Sequence, residues 1–269
     1  MLLTGVNSSP ILARMSTESA MPSKADKGAD PGGKPGPLRV PLGMVQKTMA
    51  KRMLQSARDI PQFSVSWELD ADQLAARRGR INAEIEDEDR RVSVTALLIW
   101  LTARALRQHP RLNSRFDEDA AIQPEHVNMA VAMDTPYGLV APVIREAETL
   151  SVEETGVALK ELAARAMAKR LAMADFADAT FTTSNLGMFG VTRFTPLINP
   201  PQGAIMGVGG PRTTVRTDPD GQLVAGRVIE LTVTADHRIL NGAEVARFLQ
   251  TLGGSVGEQF FNLTNTNGQ

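Results

Sequence analysis

Apolar residues recur along this chain at two spacings, and the switches between them mark out its elements. Val94, Leu97, Leu98, Leu101 and Ala105 share one helical face, which predicts a core helix over Ser93 to Gln108. Met44 to Ala57 also reads as a helix. Gln62 to Leu69 alternates apolar and polar like a strand once Pro61 has ended that helix, and another helix is expected from Ala71. Val127 to Met133 and Leu139 to Ile144 flank Asp134-Thr135-Pro136-Tyr137-Gly138, whose proline and glycine suit a hairpin connection. Ser151 to Lys169 reads as a helix with Glu153 and Glu154 near its start and Arg165, Lys169 and Arg170 near its end, matching the helix dipole. Strands around Phe181, Ala204 to Val208, Thr213 to Arg216 and Gly226 to Ala235 lead to a final helix carrying Ala243, Val245, Ala246, Phe248 and Leu249. No internal repeat is present.

Composition narrows the classes of function. A 269-residue chain with 42% hydrophobic residues and a net charge of −1 can bury one sizeable core and has no charge excess for nucleic acid. Without cysteine there is no disulfide, thiolate nucleophile or zinc-thiolate site, and a reducing cytoplasm is permitted. Three histidines are too few for most metal sites, and no metal is expected. No apolar run approaches the roughly 18 residues of a membrane span, so no membrane association is expected. Ser8-Ser9-Pro10 and Asp30-Pro31-Gly32-Gly33-Lys34-Pro35-Gly36-Pro37 interrupt regular structure, making residues 1–37 a disordered tail or linker before a domain over 38–269. Arg14 and several serines suit a mitochondrial leader. Glu18, Asp26 and the lack of an arginine-rich amphipathic helix argue for the cytoplasm over the mitochondrial matrix.

Two polar clusters carry candidate chemistry. Asp236-His237-Arg238-Ile239-Leu240-Asn241-Gly242 places an imidazole between an apolar strand and an apolar helix, where rigid flanks can aim a proton acceptor. Thr180-Phe181-Thr182-Thr183-Ser184-Asn185 sets hydroxyls beside a glycine-containing turn. Taken alone, the first reads better as a structural histidine and the second as a solvated strand face. Of the other histidines, His109 ends a helix, where a cation would suit the dipole, and His126 begins a strand without a motif. Arg238 is expected to anchor its loop.

Together, FTTSNLGMFGV, INPPQGAIMGVG and DHRILNGAEVARFL, in that order and after PLGMVQKTMAKRML at Pro41 to Leu54, resemble the catalytic domain of dihydrolipoamide acyltransferases of 2-oxo acid dehydrogenase complexes. The likeness covers about residues 38 to 262 and implies an α+β, chloramphenicol acetyltransferase-like fold: a mixed sheet with flanking helices. It also implies acyl transfer between dihydrolipoamide and coenzyme A. His237 would be the general base and Ser184 the oxyanion donor, with Thr182, on the same strand face, as the substitute donor. Asn241 stands where aspartate is commoner, and Gln46 where many members have arginine, which suggests a Gln46–Asn241 contact in place of an ion pair.

The implied substrates are coenzyme A or acyl-coenzyme A and lipoamide carried on a separate domain. The implied partners are a homotrimer whose site is shared between subunits, in many members a larger cubic or dodecahedral core, and lipoyl-domain and dehydrogenase components. The family's lipoyl and subunit-binding domains do not fit within residues 1–37, which leaves a shortened chain or a stand-alone acetyltransferase on another small substrate. A non-catalytic scaffold subunit is the reading from another class. Phe260-Phe261-Asn262-Leu263 is where a further trimer contact would be sought.

Overall fold

The computed structural model describes residues 37–217 and 220–257. The expected tail, apart from Pro37, and the run from Phe260 lie outside the described residues. Residues 37–42 carry neither helix nor strand. From Gly43 onward the elements follow in the order α1 (Met44–Asp59), β1 (Gln62–Asp70), α2 (Ala71–Ala83), α3 (Val94–Gln108), β2 (Arg115–Asp117), β3 (Ala120–Ile122), β4 (Met129–Ala132), β5 (Val143–Ile144), α4 (Val152–Met167), β6 (Phe181–Asn185), β7 (Ala204–Val208), β8 (Arg212–Thr217), β9 (Leu223–Asp236) and α5 (Gly242–Gly254).

Helix starts follow from local chemistry, because the first turn of a helix leaves N–H groups without partners. Asp70 accepts from the N–H groups of Asp72 and Gln73, each at 3.0 Å, and Ser93 Oγ accepts from Ala96 N–H at 3.1 Å. Ser151 and Glu154 cap reciprocally, as the sequence spacing of a capping box requires.

The seven-stranded sheet runs β1-β9-β7-β6-β4-β5, with β8 beside β9. β6 is parallel to both β4 and β7, and the other pairs are antiparallel, so the sheet is mixed as expected. One face packs Met129, Phe181, Met206, Leu231 and Val233 against Leu97, Leu98 and Leu101 of α3 and Phe248 and Leu249 of α5, all buried in one core. Strand alternation gives the opposite face Ser64, Ser66, Thr182, Ser184, Thr232 and Thr234. Hydroxyls pair across it, Ser64 with Thr234 and Ser66 with Thr232, each at 2.9 Å. α3 buries ten of its residues, whereas Ser56 is the one buried residue of α1.

The expected hairpin around Tyr137 is present but thinly paired: β4 and β5 share Met129↔Ile144 and Ala130↔Val143, followed by an isolated Met133↔Val140 bridge. Periodicity did not single out the β2–β3 hairpin, whose strands are three residues each.

Candidate active site

β9 delivers His237 to the end of the sheet, and the turn that follows is pinned on every side. Asp236, 1% exposed, donates its N–H to Gly203 O and its carboxylate takes Arg238 Nε at 2.9 Å, Nη2 at 2.7 Å and the Arg238 N–H at 3.0 Å. That bond and charge raise the Arg238 pKa above its ordinary value. The guanidinium also lies 4.0 Å above the Phe116 ring, so Arg238 anchors the loop as expected. Ile239 and Leu240 are buried beneath the turn. His237 itself is exposed. Its N–H donates to Pro61 O at 2.9 Å, and its ring rests on Phe63 with centroids 4.5 Å apart and a 45° tilt.

Asn241 closes the turn as the N-cap of α5. Its Oδ1 accepts from Glu244 N–H at 3.0 Å, and Glu244 Oε2 accepts from Asn241 N–H at 2.9 Å. Gln46 caps α1 in a comparable way, its Oε1 accepting from Gly43 N–H at 2.9 Å. The expected Gln46–Asn241 contact is therefore not made within the chain, because each side chain serves its own helix start.

Ser184 sits near the end of β6, half-buried. Thr182 shares its face but is buried and donates to Gln202 Oε1 at 2.5 Å, so its proton is committed and it does not offer the spare donor expected of it. Thr183 points to the core, with a buried hydroxyl that finds no partner among the described residues. Beyond Ser184, Asn185 Nδ2 donates to Thr95 Oγ1 at 3.0 Å and Asn185 Oδ1 accepts from Gly187 N–H at 2.8 Å. The turn then packs backbone to backbone. A Cβ on Gly187 would stand 2.9 Å from Gly209 O, and one on Gly209 would stand 2.1 Å from Thr192 O.

Register fixes the separation of the two groups. Ser184 lies opposite Gly207, Gly207 lies opposite Thr232, and His237 is five residues beyond Thr232. Strand spacings put about 16 Å along β9 and about 10 Å across two strands between them, about 19 Å in all. One chain carries both groups without bringing them together.

The other two histidines each have a side-chain partner within the fold. His109 Nε2 lies 2.8 Å from Thr251 Oγ1, and its ring meets Phe248 edge-on. Burial, and secondarily Arg247, lowers its pKa, which favours the neutral ring over the cation expected from the helix end alone. His126 Nδ1 lies 3.1 Å from Glu148 Oε1, and Glu148 Oε2 takes the Val127 N–H. Among the described residues no group of three His, Asp or Glu side chains could hold a metal ion, and no helix is long and apolar enough to cross a membrane.

Sequence reasoning missed Phe63, although its position at the start of an alternating strand beside Pro61 offered a weak signal. It also missed Arg111, which precedes β2 in the one-turn 3-10 helix Pro110–Asn113. Arg111 Nη2 donates to Ile239 O at 2.6 Å, and its Nε lies 2.9 Å from Glu244 Oε1.

The family described as 2-oxoacid dehydrogenases acyltransferase (catalytic domain) matches residues 34–259. The dihydrolipoyllysine-residue acetyltransferase component of the pyruvate dehydrogenase complex of Rickettsia felis is 37% identical over 213 residues, 78% of this chain and 51% of that protein. The chain thus spans about half the length of such curated relatives. The Azotobacter vinelandii dihydrolipoamide acetyltransferase, studied for the roles of a serine, a histidine and an asparagine in its catalytic mechanism, superposes with a TM-score of 0.75 at 29% identity, covering 83% of this chain and 92% of that one. The cubic core of a pyruvate dehydrogenase multienzyme complex superposes with a TM-score of 0.76 at 29% identity, covering 86% and 96%. A chloramphenicol acetyltransferase, at 13% identity and a TM-score of 0.50 over 77% and 94%, shares the fold.

Proposed function

The chain belongs to the 2-oxoacid dehydrogenase acyltransferase catalytic-domain family, and from that premise we propose that it moves an acyl group between dihydrolipoamide and coenzyme A at a site shared by two copies of the chain. The observation that carries this reading is the separation of about 19 Å between an exposed, ring-supported His237 and Ser184 on the opposite part of the sheet. A histidine and a hydroxyl that act on one thioester must lie within a few ångströms of each other. A neighbouring copy supplies the missing half.

The imidazole of one copy takes the proton of the incoming thiol. The thiolate attacks the thioester carbonyl carbon, and the oxyanion that forms accepts a hydrogen bond from Ser184 of the neighbour. Collapse expels the other thiolate, which takes the proton back from the imidazolium, so the base is regenerated and charge balances. Asn241 supports the reaction by holding the turn, since its carboxamide oxygen is spent on α5. The Azotobacter protein's serine, histidine and asparagine correspond in kind to Ser184, His237 and Asn241, which supports this set.

The proposal includes a homotrimer able to build a cubic core, lipoyl-domain and dehydrogenase partners, and a cytoplasmic setting. Assays with acetyl-coenzyme A and free dihydrolipoamide test it. His237→Ala is expected to lower kcat by about two orders of magnitude or more, and Ser184→Ala by about 10²-fold. Undiminished activity in either variant would remove that residue from its role. A parent active only on another small thiol or hydroxyl would indicate a stand-alone acetyltransferase, and one inactive with all donors a scaffold.

A further inference from the structure

We infer that Arg111 is a positioning residue for His237, reaching the base through the backbone of its turn. The inference rests on the reading of His237 as the base. Among the described residues His237 has one backbone bond, to Pro61, and one ring contact, to Phe63, so its aim depends on the path of the chain from Asp236 to Asn241. Arg238 fixes the start of that path on Asp236. Its far end is held by Arg111.

The Arg111 guanidinium grips two groups at once, Ile239 O at 2.6 Å and Glu244 Oε1 at 2.9 Å. The second oxygen of Glu244 takes the Asn241 N–H, and Asn241 Oδ1 takes the Glu244 N–H. Arg111 joins Ile239 to Glu244 and Glu244 joins Asn241, and the backbone from Ile239 through Leu240 to Asn241 closes the ring around the end of the turn. The planar fork serves the carbonyl and the carboxylate with donors in a fixed relative direction, whereas a lysine ammonium, a point charge on a flexible stem, does not set the angle between the two.

The platform beneath Arg111 is rigid. Leu112 and Asn113 are buried, Asn113 Nδ2 donates to His126 O at 3.0 Å, and Ser114 O accepts the N–H of Gly203, whose own carbonyl takes the Asp236 N–H. The same segment supplies Phe116 beneath Arg238. Residues 110–117 thus brace both flanks of the histidine. Arg111 is itself half-exposed, so its ion pair adds little to stability, while its geometric constraint acts on the reacting group.

Steady-state kinetics on the assembled protein with acetyl-coenzyme A and dihydrolipoamide test this. Arg111→Gln is expected to lower kcat about tenfold while both KM values stay within about twofold. Arg111→Lys should not restore the rate, and Arg111→Gln combined with Glu244→Gln should fall little further than either alone, because the pair acts as one clamp. Three results would overturn the inference: an unchanged kcat, a raised KM for coenzyme A at unchanged kcat, which would make Arg111 a substrate contact, or losses of kcat that follow the melting temperature across the variants. An undiminished His237→Ala would instead sink the underlying reading of the base. An inactive His237→Ala beside a fully active Arg111→Gln would sink only the positioning role.

Discussion

At the end of β9, the chain carrying His237 is held by side-chain bonds: the Arg238 fork on Asp236, the Arg111 grip on Ile239 and Glu244, and the reciprocal Asn241–Glu244 cap. At the end of β6, the turn after Ser184 is held mainly by close backbone approach, with Gly187 on Gly209 and Gly210 and Gly209 on Thr192. The two devices fail differently. The Arg111 clamp, whose guanidinium is half-exposed, can be loosened with small loss of stability, so its removal should show first in rate. Backbone contacts at van der Waals limit leave no room for a methyl group, so their disturbance should show first in stability.

The largest expected effect is at the close-packed end. Gly209→Ala places a Cβ against Thr192 O, backbone on backbone with no flexible side chain to yield, and should cost about 3 kcal/mol. Urea unfolding measures it. A change below about 1 kcal/mol would show that the turn relaxes and that the contrast is overstated.

Next is the ring under His237. Phe63→Ala should lower kcat about tenfold with KM little changed, while Phe63→Tyr keeps the support and the rate. Equal losses in both variants would argue against ring support.

Asn241→Ala removes the N-cap of α5 and should cost about 1 kcal/mol by thermal or chemical unfolding, whereas Asn241→Asp keeps the acceptor and most of that stability. If Asp proves as damaging as Ala, the carboxamide does more than cap.

The smallest effect concerns pH. The His109 pKa is lowered in the folded state, chiefly by burial, so the unfolded chain binds the proton more readily. Stability from this group is fully present above the unfolded value of about 6.5 and is lost as pH falls below it toward the depressed folded value. The melting temperature should therefore drop more between pH 7 and 5 in the parent than in His109→Gln. Parallel curves would contradict this.

Much of the architecture was legible because long elements declare themselves by period. α3 buries a nearly continuous run and β9 alternates core-facing Ile229, Leu231, Val233 and Ala235 with polar residues on its other face, and both spacings were visible, in Val94 to Ala105 and in the alternation up to Ala235. Hairpin strands of three residues, such as β2 and β3, are too short for any period to register. Site motifs were legible as local runs, but their partners were not. Thr182 is committed by Gln202, Gln46 and Asn241 by their own helix starts, and the His237 turn by Arg111 and Phe116, which stand more than a hundred residues earlier. Such contacts follow from which surfaces the fold brings together, and neither composition nor spacing encodes them locally.

The claim that one site draws on two copies can be measured directly by mixing. His237→Ala and Ser184→Ala chains, each nearly inactive alone, would be unfolded, combined in equal amounts and refolded into mixed assemblies. If histidine and serine come from different subunits, random mixing leaves about a quarter of the sites with both groups intact, and about a quarter of the parent activity should return. Mixed assemblies no more active than the separate variants would contradict a shared site.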